Sequence, residues 1–254
     1  MAPDGNSEPL VPYSSQREPG GTEMTRRTNA KVAGFAFLLY IVASLTGDIV
    51  AGRASKGDGV AAKLASIAGH AFQMRAAILL TLLGCFCALV LAVTLYSITR
   101  DQDSDLALLV LICRTAEGVI SALALPRMAG RLWLATGAGP GAPDAAAAKA
   151  LGDYLFALPS WNTTVSAIFF AFGSLVFSWL LLRGRMVPIA LSWIGLLASI
   201  VVVVGLPLEL AGILEGSITQ LMWLPMLAFE VPLGIWLIVK GAALPTGRSG
   251  TGSR

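Results

Sequence analysis

An apolar run of 20 residues, Leu106 to Leu125, is long enough to form a helix that crosses a lipid bilayer. The run reads LALLVLICRTAEGVISALAL and carries Arg114 and Glu117 near its middle. A charge at that depth costs about 2.5–3.5 kcal/mol on insertion scales, so it is kept where it is paired or used. We therefore expect a transmembrane helix whose charges face the interior of a helical bundle.

Other parts of the chain repeat this pattern. Charged residues make up 13% of the 254 residues, against about 25% in soluble domains, and hydrophobic residues make up 56%. Long apolar runs alternate with short charged segments, which is typical of membrane proteins. The sequence predicts an all-α membrane protein, a bundle of six transmembrane helices. The predicted spans are residues 32–50, 76–98, 106–125, 164–182, 187–206 and 221–239.

The segments outside these spans differ in character. Residues 1–30 are rich in Pro, Gly, Ser and Glu and are predicted to be a disordered tail. Residues 59–74 place apolar side chains at helical spacing, which predicts an interfacial amphipathic helix after the first span. Residues 127–160 are predicted to be a loop containing a weak helix at 144–158. The membrane domain is thus expected at 31–241, followed by a short basic tail at 242–254.

The positive charges are distributed unevenly between the two sides of this topology. If the N-terminus is inside, ten Lys and Arg residues lie on the inner side and seven on the outer side. The positive-inside rule then places both termini in the cytoplasm. We expect a multi-pass protein of the cell membrane whose predicted partner is the lipid bilayer. A small-molecule partner, a protein partner and a homo-oligomer all stay open, and the sequence carries no nucleic-acid-binding motif.

Two groups of polar residues are candidate sites. Arg114 and Glu117 share one helix face, and Glu230 lies at a similar depth in the last span. We predict that the three pair in the bundle interior and that one carboxyl is protonated near neutral pH, because burial disfavours the surplus negative charge. This cluster fits either a structural latch or a proton or substrate site. The second group, Asp48, Arg75, Arg127 and Glu209, is expected at the outer face, either lining a vestibule or simply solvated.

Sequence signatures of catalysis are missing. No H-E-x-x-H, G-x-S-x-G, Walker A or G-x-G-x-x-G motif occurs, so no catalytic residue is assigned. The single histidine and the absence of C-x-x-C predict no metal site, and no cofactor is expected. The small-xxx-small pairs Ser174/Ser178 and Gly195/Ser199 predict close helix packing.

Five stretches together resemble a bacterial membrane family, domain of unknown function 4386. The first three are VAGFAFLLYIVAS from Val32, QMRAAILLTLLGCFCALVLAVTLYSI from Gln73 and LALLVLICRTAEGVI from Leu106. The last two are FFAFGSLVFSWLLLRGRMVPIALSWIG from Phe169 and LAFEVPLGIWLIVKG from Leu227. The resemblance covers about residues 31–241. It implies a multi-span membrane domain with no established activity and supplies no catalytic residues.

The sequence is compatible with three functional classes. The first is a non-enzymatic membrane protein, such as an accessory or sensing subunit, whose buried charges hold the bundle together. The second is a small proton-coupled transporter or permease that uses Arg114, Glu117 and Glu230. No internal repeat and no pair of broken helices supports it, but Pro232 after Glu230 could break the last span, and broken helices are common in transporters. The third is a lipid-acting membrane enzyme, for which no nucleophile and base are visible. A sealed cluster would favour the first class, and a polar cavity reaching Glu230 would favour the second.

Overall fold

The computed structural model describes residues 19–137, 141, 143–157 and 161–243, and every regular element among them is an α-helix. Ten helices follow one another along these residues. They are α1 (Pro19–Ala54), α2 (Gly59–Gly69), α3 (Ala71–Thr99), α4 (Ser104–Ala122), α5 (Ala124–Thr136), α6 (Ala145–Ala157), α7 (Trp161–Gly184), α8 (Ile189–Leu210), α9 (Ser217–Leu221) and α10 (Leu224–Val239).

Six helical segments are long and apolar enough to cross a membrane. α1, α3 and α8 each supply one segment, two more consist of α4 with α5 and of α9 with α10, and the sixth lies within Ala145–Gly184, where α7 is the longer helix. The predicted all-α architecture with six spans is confirmed, and the shorter helix α2 follows the first span as expected.

The six long helices form a closed ring. α1 packs against α3, α3 against α4, α4 against α7, α7 against α8 and α8 against α10, and α10 returns to α1. The main core fills this ring with side chains such as Phe37, Leu91, Phe177 and Phe229, all of which are almost completely buried. The beginning of α1 and the residues just after α10 meet on one face of the bundle, hereafter the terminal face, because Arg26 donates a hydrogen bond to the carbonyl of Ala243.

The outside of the ring carries many apolar side chains. Many large apolar side chains on the long helices are more than half exposed, which would be unfavourable in water but is normal for a surface in contact with lipid. Examples are Phe35, Val42, Phe86, Val93, Val119, Leu197 and Val204. The helices thus bury one face against each other and present another to the bilayer.

The first helix begins earlier than the sequence predicts. α1 starts at Pro19, so residues 19–30 are helical where a disordered tail is expected, and residues 1–18 lie outside the described residues. Arg26 and Ala30 are buried on this extension. The physical reason is a tertiary contact, because Arg26 donates a hydrogen bond to the carbonyl of Ala243, just after α10. Low apolar content predicts disorder only where such contacts are absent.

The segment predicted as a loop is also largely helical. Pro126 lacks the N–H that would bond the carbonyl of Ala122, so α4 ends at Ala122 and α5 begins at Ala124 with Pro126 in its first turn. α5 and α6 then pack against α2 and against each other. Together with α1 and α3 they enclose a second, smaller core that contains Ala54, Ile67 and Met74. The weak helix expected at 144–158 is α6.

The region predicted as one amphipathic helix divides at His70. Ile67 and Phe72 are two of the apolar residues at helical spacing in residues 59–74. Ile67 is buried on α2, as the spacing predicts, but Phe72 belongs to α3 and is exposed. α2 therefore packs on α5 and α6 through Ile67, and its contact with the bilayer interface stays a prediction.

The last two spans differ from expectation at their prolines. α8 continues through Pro207 to Leu210, four residues past the predicted end. α10 continues through Pro232, so the break that this residue could cause does not occur. The interruption falls instead at Met222 and Trp223, between α9 and α10. Neighbouring helices in a membrane bundle allow a helix to continue past a proline.

Candidate functional site: a buried arginine with two glutamates

Arg114 lies at the centre of the ring. It is the eleventh of the 19 residues of α4, and its side chain is 1% exposed. It is also the largest side chain among the fully buried ones. The guanidinium therefore has almost no water to solvate it, and its charge must be stabilised by neighbouring side chains.

Three neighbouring helices and α4 itself supply those side chains. Nη1 of Arg114 donates a hydrogen bond to Oε2 of Glu117 at 3.0 Å, and Nη2 donates one to Oγ of Ser174 on α7 at 3.0 Å. Nη2 also lies 3.6 Å from Oε1 of Glu230 on α10, which is an ion-pair distance. The structure thus brings together the three residues that the sequence predicts to pair.

Two phenylalanine rings contact the guanidinium. Its central carbon lies 4.6 Å from the ring centroid of Phe170 on α7 and 5.5 Å from that of Phe37 on α1. Cation–π attraction is stronger at desolvated sites, where it reaches about 2 kcal/mol. Aromatic faces therefore replace part of the solvation that Arg114 loses.

Glu117 has a partner for each carboxylate oxygen. Oε2 accepts from Arg114, and Oε1 accepts a hydrogen bond of 2.7 Å from the hydroxyl of Tyr40 on α1. Ser166 of α7 donates to the backbone carbonyl of Glu117 at 3.0 Å and lies 2.6 Å from the hydroxyl of Ser121. This local network fixes α4 against both α1 and α7.

Glu230 is held less tightly. Its side chain is 6% exposed, and among the described residues its Oε1 atom has no hydrogen-bond partner, because Arg114 is just beyond bonding distance. The preceding residue, Phe229, packs closely on α8, where a Cβ at Gly195 would come within 2.4 Å of the ring. Glu230 thus sits on a well-packed helix with a weaker polar contact of its own.

The charges of this cluster do not balance. Two carboxyl groups face one guanidinium, so the cluster carries one surplus negative charge unless one carboxyl holds a proton. Such a group can do two things chemically. It can fix four helices against one another through buried polar contacts, or it can exchange a proton if water reaches it.

The four residues predicted at the outer face lie on two parts of the ring. Asp48 and Arg75 are exposed on the adjoining helices α1 and α3, and Arg127 is half-buried on α5, which packs on α3. Glu209 is half-buried at the end of α8, which packs between α7 and α10. Their role in a vestibule stays a prediction.

Sequence reasoning missed several residues that contact the cluster. Phe37 and Tyr40 are three residues apart on α1, which is a helical spacing, but aromatic residues are common in apolar spans. Ser174 had a weak signal, since it belongs to a predicted small-xxx-small pair, and Gly173 beside it allows close approach to α4. A Cβ at Gly173 would come within 3.0 Å of Cβ of Cys113.

Within the described ranges, no three or more His, Cys, Asp and Glu residues gather in a way that could hold a metal ion. The three cysteines, Cys85, Cys87 and Cys113, are free and buried.

The ring of apolar helices, with ionisable residues sealed inside it, defines a multi-pass α-helical membrane protein. Within that class, the chain belongs to the family called Domain of unknown function (DUF4386), whose model matches residues 32–241. The resemblance seen in the sequence is thereby confirmed. No curated protein and no solved structure matches the chain.

Proposed function

We propose that this chain is a non-enzymatic membrane protein with an accessory or sensing role, in which Arg114, Glu117 and Glu230 form a structural latch. The observation that carries the proposal is the burial of Arg114, which contacts α1, α7 and α10 from α4 while only 1% exposed. A site for substrate or catalysis needs access, and a sealed cluster favours a role in holding the spans together.

The proposal extends to location and partners. We place the protein in the cell membrane with the terminal face in the cytoplasm, supported by the excess of Lys and Arg on the segments at that face. The bilayer is its general partner, since exposed apolar side chains surround the ring. A protein partner or a second copy of the chain would bind from within the membrane or at either face.

Charge-removing variants test the latch. Arg114→Gln leaves two carboxyl groups in the interior without a cation, and breaking a buried pair in this way typically costs about 3–5 kcal/mol of unfolding free energy. The triple variant Arg114→Gln/Glu117→Gln/Glu230→Gln removes all three charges and should recover much of that loss. Stability would be measured by SDS titration from mixed micelles.

The matched control is Arg53→Gln, which removes an exposed arginine at the end of α1. It should leave stability within about 0.5 kcal/mol of the parent protein. An Arg114→Gln protein as stable as this control would overturn the latch.

A proton-coupled transporter is the second candidate. The specific observation that favours it is the Oε1 atom of Glu230, which is buried without a hydrogen bond in the described structure and lies 3.6 Å from Arg114. A carboxyl group held this loosely is the best candidate in the cluster for taking up and releasing a proton. No comparable observation favours a lipid-acting enzyme.

Infrared difference spectra in lipid distinguish the two candidates. A carboxyl band that titrates between about pH 5 and 8 and disappears in Glu230→Gln would show a proton-exchanging site, since ordinary exposed carboxyls titrate near pH 4. Proton-flux assays in proteoliposomes would then follow. A spectrum without such a band would support the sealed latch. The comparison variant is Glu117→Gln, because Glu117 is fully bonded to Arg114 and Tyr40.

A further inference from the structure

A pocket of about 400 Å³ opens at the terminal face of the bundle. It lies between the beginning of α1 and the end of α10, with a contribution from the turn between α7 and α8. Its lining residues are Arg26, Arg27, Met186, Trp236, Lys240, Gly241, Ala242 and Ala243. None of these residues belongs to the Arg114 cluster.

Arg26 is buried in the wall of this pocket. The side chain is 6% exposed. Nη2 donates a hydrogen bond to the carbonyl of Ala243 at 3.0 Å and lies 3.5 Å from the sulfur of Met186, and Nη1 lies 3.6 Å from Oδ2 of Asp101. In the described part of the chain, Nε and Nη1 have no hydrogen-bond partner. Buried donors are normally satisfied by an acceptor, whereas Nε has none here and Nη1 has only the ion-pair contact with Asp101.

The pocket is positively charged. Arg27 and Lys240 are exposed beside Arg26, which gives three cationic side chains, and the described lining residues include no carboxylate. Asp101 approaches Arg26 from the α3–α4 turn and offsets one of these charges. Two positive charges therefore remain, together with the free donors of Arg26.

Trp236 completes the wall of the pocket. Tryptophan is enriched where a membrane protein meets the lipid headgroups, because its indole is amphipathic. The pocket lies beside Arg26, the first residue of the first span, and beside the end of α10, so we expect it at the depth of such headgroups.

We infer that this pocket binds a phosphate-bearing anion, either the headgroup of an anionic phospholipid or a free phosphate. The fork of N–H donors on a guanidinium matches the oxygens of a phosphate, and an exposed arginine and lysine supply further charge. Bound phosphate would accept from Nε and Nη1 of Arg26 and connect the beginning of α1 to the end of α10. This inference is independent of the latch.

The binding experiment uses the purified full chain in a neutral detergent, analysed by native mass spectrometry. Phosphatidylglycerol, phosphatidylcholine and inorganic phosphate are the three probes. The test variant is Arg27→Gln/Lys240→Gln, which removes two exposed cations from the pocket and leaves the contacts of Arg26 intact. Its control is Lys31→Gln/Arg100→Gln, which removes one exposed lysine and one exposed arginine that do not line the pocket.

One molecule of phosphatidylglycerol should bind the parent protein and the control with equal affinity. The test variant should bind it about 30-fold more weakly, at roughly 5-fold for each cation near an anionic lipid. Phosphatidylcholine should bind weakly to all three proteins. Inorganic phosphate that competes with the lipid at equal concentration would identify free phosphate as the ligand, and no competition would identify the lipid.

Two results would overturn the inference. The first is equal binding by the parent protein and the test variant. The second is an equal loss in the test variant and the control, because it would mean that general surface charge attracts the probe. Arg26→Gln is a second variant. If it remains folded, as judged by circular dichroism, it should lose binding at least as strongly as the test variant.

Discussion

The closure of the ring between α1 and α10 depends on glycine. A Cβ placed on Gly34 would lie 2.5 Å from the backbone oxygen of Gly234 and 2.7 Å from Cγ1 of Ile238. Ordinary van der Waals contact begins at 3.4 Å, so Gly34→Ala requires the two helices to separate by about 0.9 Å at this point. A backbone carbonyl inside a helix has little freedom to move alone. We expect a loss of about 1–3 kcal/mol in unfolding free energy, the usual cost of overpacking.

Gly52→Ala is the matched control on the same helix, because a Cβ there meets nothing within 4 Å. Both substitutions gain the same helix propensity, about 1 kcal/mol at most, so their difference isolates the steric effect. Unfolding in SDS mixed micelles should show Gly34→Ala clearly less stable than Gly52→Ala. Equal stability of the two variants would refute the close approach of α1 and α10.

Three further substitutions or treatments probe separate parts of the structure. Tyr40→Phe removes the 2.7 Å hydrogen bond to Glu117 and should cost about 0.6–1.7 kcal/mol in the same unfolding assay. Arg131→Gln removes the bond to the carbonyl of Leu155 and the contact with Phe156, so hydrogen exchange should increase in α6 but not in the ring. Maleimide should label the buried cysteines only after denaturation; these are Cys85, Cys87 and Cys113.

The sequence predicts the spans because apolar length is a local property. Each run of about 20 apolar residues predicts a membrane-spanning helix by itself, independently of the rest of the chain. Composition failed for residues 19–30. Their polar residues predict disorder, but they form a helix that contacts Ala243 through Arg26. Local propensity also does not report the neighbouring helices that allow α10 to continue through Pro232.

The candidate site was predictable in part for a related reason. A charged residue in an apolar span is conspicuous and needs a counter-charge, so Arg114, Glu117 and Glu230 could be proposed as partners. The aromatic residues around them are not conspicuous. Nothing in the sequence distinguishes Phe37 or Phe170 from lipid-facing phenylalanines such as Phe35, which is 62% exposed. The rotation of each helix about its own axis decides which aromatic side chain faces Arg114.

The rotation of α1 links its close packing against α10 to the charge cluster of Arg114, Glu117 and Glu230. Gly34, Phe37 and Tyr40 follow at intervals of three residues along α1, so each is a surface neighbour of the next. This row turns around the helix from the contact with α10 to the carboxylate of Glu117 on α4. Lipid provides no hydrophobic force between helices, so close packing at the glycines and polar contacts at the other end must act together.

This coupling makes a further prediction about the double variant Gly34→Ala/Tyr40→Phe. If Gly34→Ala moves α1 away from α10, it also weakens the hydrogen bond between Tyr40 and Glu117. Removing that bond by Tyr40→Phe then costs less unfolding free energy than it does in the parent protein. The loss of unfolding free energy in the double variant should therefore be smaller than the sum of the two single losses. We expect the difference to be at least about 0.5 kcal/mol in a double-mutant cycle. Additivity within about 0.3 kcal/mol would mean that closure of the ring and the charge cluster are independent.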